Sequence, residues 1–361
     1  MRTTMLSCAL MIGAMFAPAS VQAETPGCPD GGAPVLAFTH HGRRIFTWQG
    51  SPYRDYFVTM GLRTLDLPDH LIMESGGHLA VSRDEGCSWE LIRELPGSDW
   101  PLWITAGPNG AAYAFALNGS ALYRVEYDGA NFAAIELHAP VSNILGLGVD
   151  ADDAQRIRIG DSTGQVHESL DGGDSWSRVG TRPPVGPLTY RIAFDPNDLD
   201  HMIFGAAVDG GWVTFDGAAT WTPIVGLSET NGPVNLFNAV FSPVDSNVAW
   251  CMAIDLDQAD AGHPSQGRHI YLSRDGGLTF EPVVDNAAGV TLSNGPELTP
   301  HPFDPNRIGW AWGSRWDGMY VYQFDASARR LRTAYRAGMV ARTMEFYRAD
   351  PRHAYVGLEA F

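Results

Sequence analysis

The chain has 361 residues, enough for one large core or two ordinary ones and far more than a disulfide-stapled miniprotein. Hydrophobic residues at 45% and charged residues at 18% exclude a disordered chain, while 40 Gly, 24 Pro and 11% aromatics favour short strands and tight turns over long helices. The net charge is −17 and every one of the 24 basic residues is Arg. That excludes Schiff-base lysine and P-loop chemistry, and it argues against nucleic acid or an anionic membrane as partner.

The N-terminus reads as a secretory signal over residues 1–23. Arg2 supplies the positive end, Met5 to Ala17 the apolar run, and Val21-Gln22-Ala23 a small-x-small cleavage site. Met5-Leu6-Ser7-Cys8 lies upstream of most of the apolar run, so no lipid anchor is expected, and no later segment is apolar for long enough to span a bilayer. The expected mature chain, 24–361, is exported to the periplasm or beyond. An oxidising compartment allows Cys28 and Cys87 to pair. Cys251 sits in the apolar run 248–254 and reads as a small buried hydrophobe. No Cys/His spacing suits zinc, and His40-His41 lacks a third ligand.

Internal repetition dominates the rest of the chain. Residues 82–89, 169–176, 214–221 and 273–280 share the form S/T-x-D-x-G-x-S/T-W/F, with Ala218 in place of Gly in the third copy. The Asp can accept backbone N–H bonds inside its own turn, Gly supplies positive φ, and the aromatic opens the next strand as a packing plug. Weaker copies fall at residues 127–132 and 323–327. Around residues 190–224 four short strands, A to D, follow one another within about 40 residues, as in a propeller blade.

This pattern resembles the Asp-box (BNR) repeat propellers, which include sialidases, sortilin-type receptor domains, xyloglucanases and photosystem assembly factors of the Ycf48 type. The resemblance covers nearly the whole mature chain. It implies an all-β single propeller of four-stranded blades. Counting gives six motif-bearing units, and strands from both termini would close a seventh blade, with six or eight as the neighbouring counts. Val340 to Phe346 and His353 to Leu358 would supply strands A and B of the last blade, and Val35 to Phe38 and Arg44 to Trp48 its strands C and D. It also implies that Asp84, Asp171, Asp216 and Asp275 are structural, on C–D turns at the outer rim, and that ligands meet the B–C and D–A loops.

Four places could carry chemistry. Arg315, Trp316 and Asp317 join a guanidinium, an aromatic platform and a carboxylate on one B–C loop. Asp255, Asp257 and Asp260 form an acidic insertion, a weak candidate for Ca²⁺ whose spacing departs from an EF-hand loop. Asp99 and Trp100 lie on a D–A loop. Arg342 and Glu345 start a strand expected to line the axis. In the sialidases of this family an Arg-Ile-Pro motif opens the first blade; Arg44-Ile45-Phe46 lacks its Pro, and no Tyr/Glu nucleophile pair is recognisable. The expected function is therefore a non-catalytic, monomeric binding or assembly scaffold for a protein, peptide or glycan, without cofactor. The alternative is a sialidase-like glycoside hydrolase.

Overall fold

The computed structural model describes residues 35–40, 43–47, 57–96, 101–287, 289–314, 316–337, 340–348, 351 and 354–360. Their strands form six four-stranded sheets, each built from four strands in chain order, and one composite sheet. The six blades span residues 62–94, 103–136, 144–179, 189–223, 234–285 and 298–336. Within each, strands A to D pair antiparallel with their sequence neighbours, so every blade is a meander of local contacts.

The strand order follows from burial. The A strands line the central axis, and the B strands are the most apolar: Asp245–Asp255 of blade 5 is buried over its last eight residues. The D strands are exposed at the rim, as in Ser177–Val179. Where the inner strands converge, the backbones come very close. A Cβ on Gly146 of blade 3 would lie 2.1 Å from the Ile192 carbonyl oxygen of blade 4, so only glycine fits. Between blades 5 and 6 the indoles of Trp250 and Trp310 are fully buried in one cluster with Tyr322 and Phe324.

Each Asp box lies between a C strand and the following D strand, and all four make the same bonds. Ser169 Oγ donates to Asp171 Oδ1 at 2.7 Å, and Gly173 N donates to Ser169 Oγ at 2.7 Å. Ser175 gives its N–H to Oδ1 at 2.8 Å and its hydroxyl to Oδ2 at 2.5 Å. Asp84, Asp216 and Asp275 repeat the set with Ser88, Thr220 and Thr279. The Ser175 hydroxyl and N–H hold the Asp171 carboxyl down at about 2. Ala218 adopts φ +66° where the other boxes have Gly.

The sheet between blade 6 and blade 1 differs from expectation. Six blades, not seven, are regular four-stranded meanders. The composite sheet takes its inner strand, Val340–Phe346, and the adjoining Ala354–Ala360 from the C-terminal end, and the hairpin Val35–His40 and Arg43–Thr47 from the N-terminal end. The hairpin docks through Arg43–Thr47, parallel to Ala354–Ala360, and not through Val35–His40. Because a hairpin offers two edges, the apolar pattern of its strands alone does not fix which one docks. Phe57–Val58 pairs with the end of Ala354–Ala360 as a fifth strand. No helix among the described residues is long and apolar enough to cross a membrane.

Candidate functional site in the axial channel

A cavity of about 400 Å³ runs along the axis, lined by residues from the inner strand of all six blades and of the composite sheet. Most of its wall is aliphatic or aromatic, including Ile104, Leu147, Phe194, Phe241 and Leu298. Across it runs a charged network that no stretch of sequence announces. Arg191 of blade 4 donates from Nη1 to Glu297 Oε2, just ahead of the blade 6 inner strand, at 2.7 Å. Trp103 of blade 2 donates from Nε1 to the same oxygen at 3.1 Å. Arg63 of blade 1 brings Nη2 to 3.6 Å from Glu297 Oε1 and Nη1 to 3.9 Å from Glu345 Oε2. Glu345 in turn accepts from Thr64 N at 3.3 Å and Thr64 Oγ1 at 2.8 Å. The Arg191 guanidinium lies 5.6 Å from the Trp103 ring centroid, within cation–π range.

The two glutamates respond in opposite directions. Burial alone would raise the Glu297 carboxyl, but Arg191 and Arg63 outweigh it and hold Glu297 below its ordinary range. Burial pushes Glu345 up, and the more distant Arg63 and the Thr64 bonds do not fully offset it. A third arginine at this cavity, Arg348, is engaged elsewhere: Nη2 lies 3.5 Å from Asp66 and Nη1 donates to the Leu65 carbonyl at 3.3 Å. Three inward guanidiniums thus each meet a carboxylate of the chain itself. Outside the channel, Glu74 is fully buried and accepts N–H bonds from Gly77 at 2.8 Å and Leu102 at 3.1 Å, tying blade 1 to blade 2. Burial pushes its carboxyl up to about 7 against those two bonds.

The residues expected from sequence are dispersed. Arg342 and Glu345 do not form a pair: Arg342 bonds Glu359 and Glu345 faces Thr64 and Arg63. Residues three apart on a strand point to opposite faces, and the register also shifts between Ala341 and Thr343. Trp316 is 90% exposed, and Asp317 accepts from the Ser314 hydroxyl at 2.6 Å. Arg315, Asp99 and Trp100 lie outside the described residues, as does His41. Cys87 is disulfide-bonded, and its partner, expected at Cys28, also lies outside them. Cys251 is a buried free thiol.

The acidic insertion is not arranged as a cation loop. Asp255 caps a short helix, Leu256–Asp260, by accepting from Gln258 N at 3.2 Å, and Asp257 accepts from Thr230 Oγ1 at 2.6 Å. Two of the three carboxylates are thus engaged with donors of the chain itself. Among the described residues no group of three or more His, Cys, Asp or Glu is placed to hold a metal ion.

No protein-family model matches the chain. It is 34% identical over 364 residues to the dispase autolysis-inducing protein of Streptomyces mobaraensis, covering 99% of this chain and 95% of that protein. The chain belongs to that protein's family. Its fold is that of the Asp-box propeller superfamily. The GH74 enzyme of Niastella koreensis superposes with a TM-score of 0.58 at 16% identity, over 84% of this chain but about half, 51%, of the enzyme chain. Ycf48 bound to a D1 peptide superposes at 0.56 with 12% identity, over 86% and 96% of the two chains. At these identities the structural neighbours share the fold alone.

Proposed function

We infer that this protein is an exported, non-catalytic propeller that binds a protein ligand, and that the ligand is a protease whose self-digestion it promotes. One observation carries the reading: identity with the autolysis-inducing protein runs through 99% of this chain, so the relatives share the whole propeller and not one grafted motif. The axial site suits a binder better than a sialidase. A sialic acid carboxylate needs free guanidiniums, and Arg191 and Arg63 already serve Glu297. We count the composite sheet as a seventh, closing blade, and residues 1–23 as the export signal. Arg315, Trp316, Asp317, Asp99 and Trp100 remain contact candidates on the B–C and D–A face.

The test is direct. Dispase incubated with the purified protein should lose its intact band on a gel faster than dispase alone, and heat-denatured protein should have no such effect. Unchanged protease at equimolar protein would sink the proposal. A second reading, a glycoside hydrolase, is favoured by one feature: Glu297 and Glu345 flank one cavity with carboxyl groups shifted apart, as an acid–base pair requires. Turnover of a fluorogenic sialoside or of xyloglucan that vanishes in Glu345→Gln would replace the binder by that enzyme.

A further inference from the structure

The B–C turn of blade 4 holds a β-branched residue in a conformation it disfavours. Val208 has φ +68°, in the left-handed region where β-branched side chains are rare. The surroundings enforce it: Val208 N donates to Asn235 Oδ1 at 2.9 Å, Val234 N donates to the Val208 carbonyl at 3.1 Å, and Gly210 N donates to the Val234 carbonyl at 3.0 Å. The result is that a valine side chain stands 57% exposed at the lip of a groove of about 240 Å³. The far wall is the connection from blade 4 to blade 5, where Val225 is 51% exposed. Leu188, 67% exposed, adjoins the turn through its carbonyl, which accepts from Ala207 N at 2.9 Å.

The groove's rim is acidic. Asp209 sits at one end, its Oδ2 accepting from Gly186 N at 2.7 Å. Asp257 stands next to the lining residue Gly232, where a Cβ would meet its Oδ2 at 2.1 Å, and that oxygen accepts from Thr230 Oγ1 at 2.6 Å. Glu229 is exposed beside it. Among the described residues none of the three is in an ion pair with an arginine. The volume is too small for a folded element and suits one or two side chains of an extended segment.

We propose that this groove between blades 4 and 5 docks an extended segment of the partner protein in which an aliphatic residue is flanked by Lys or Arg. The aliphatic side chain packs on Val208, Val225 and Ile224, and the cations meet Asp209 and Asp257. The apolar contact supplies affinity, and the acidic rim selects basic over acidic segments. This deepens the protease-binding reading and rests on it for the identity of the partner.

The probe is a fluorescein-labelled hexapeptide, Gly-Leu-Arg-Leu-Arg-Gly, compared by anisotropy with Gly-Leu-Glu-Leu-Glu-Gly. The basic peptide should bind the wild-type protein at least about tenfold more tightly, with affinity falling at high salt. Val208→Gly keeps the backbone bonds and relieves the φ strain. It should weaken the peptide about tenfold while the melting temperature stays level or rises, a split that a merely structural residue would not give. Asp209→Asn with Asp257→Asn should weaken binding and flatten the salt dependence. Equal binding of the two peptides, no binding of either, or wild-type affinity in Val208→Gly overturns the proposal. In a parallel arm each variant is mixed with dispase. Autolysis promoted equally by wild type and the groove variants removes the groove and leaves the function; peptide binding through the groove without any effect on dispase removes the function and leaves the groove.

Discussion

Replacing Glu297 by alanine should reveal how much the axial network contributes to stability. The carboxylate accepts from Arg191 at 2.7 Å and from Trp103 at 3.1 Å, and faces Arg63 at 3.6 Å. Removing one partner of a buried ion pair costs about 3–5 kcal/mol, because the remaining charge is left unpaired. Here the side chains of Arg191 and Arg63 keep 20% and 21% of their surface, so channel water solvates them in part. The expected loss is therefore about 2–3 kcal/mol. Urea titration of Glu297→Ala, Arg191→Ala and the double variant gives both this loss and the coupling energy, which should be about 1.5–3 kcal/mol for a charge-assisted bond. Glu297→Gln keeps an acceptor and should fall between alanine and wild type. A Glu297→Ala protein within about 0.5 kcal/mol of wild type, or a coupling near zero, would refute the reasoning and make the channel a solvated pore.

Other outcomes follow from geometry already described. Gly146→Ala drives a methyl group into the Ile192 carbonyl and should cost at least about 1–3 kcal/mol, measured in the same titration. Asp275→Ala leaves turn N–H groups of one rim hairpin without their acceptor and should cost about 1–2 kcal/mol, with peptide affinity unchanged; lost binding at unchanged stability would contradict a structural role. Glu74 titrates near 7 when folded and at its lower, ordinary value when unfolded, so the folded state holds the extra proton. Its contribution is full at acid pH below the ordinary value and is lost as pH rises through about 7. Melting temperature should decline over that window in the wild type, and Glu74→Gln should remove that slope. Asp171 acts in reverse: held at about 2, it favours the fold above the ordinary carboxylate value and ceases to as pH falls toward 2. Trp316→Ala should leave stability within about 0.5 kcal/mol, so any loss of protein binding would isolate a surface contact.

The blades were legible because each is local. Asp, Gly and Ser at fixed offsets define a hairpin that satisfies its own polar groups, and that chemistry needs no distant partner. The A–B turns are equally local: Asp195 and Asp304 accept from Asn197 and Asn306 two residues on. The axial network was not legible for the opposite reason. Arg63, Trp103, Arg191 and Glu297 belong to four different blades, and each looks like an ordinary strand or turn residue in its own neighbourhood. A signal did exist. The inner strands are mostly apolar, and the arginines Arg63 and Arg191 stand out against that background. Glu345 was legible as an axial residue, but its partners Thr64 and Arg63 lie on blade 1, far away in sequence, and nothing in the local pattern names them. The register shift between Ala341 and Thr343 recurs between Ile144 and Gly146, Thr189 and Arg191, and Leu236 and Asn238, so the inner register is a property of the ring and not of any one blade.

The composite sheet also sets the order of events in folding. Blades 1 to 6 use strands adjacent in the chain and can form as local units, each early and with little loop-closure entropy. The joint between Arg43–Thr47 and Ala354–Ala360 needs strands from near the two ends of the described residues together. Its sequence separation makes it the slowest contact of the ring by topology, formed after the blades that rest on local pairings. The same joint holds the ring shut: among the described residues Arg43–Thr47 is the strand that covers the outer edge of Ala354–Ala360 at Ala354, Tyr355 and Val356, so losing it would leave that edge open to another extended chain.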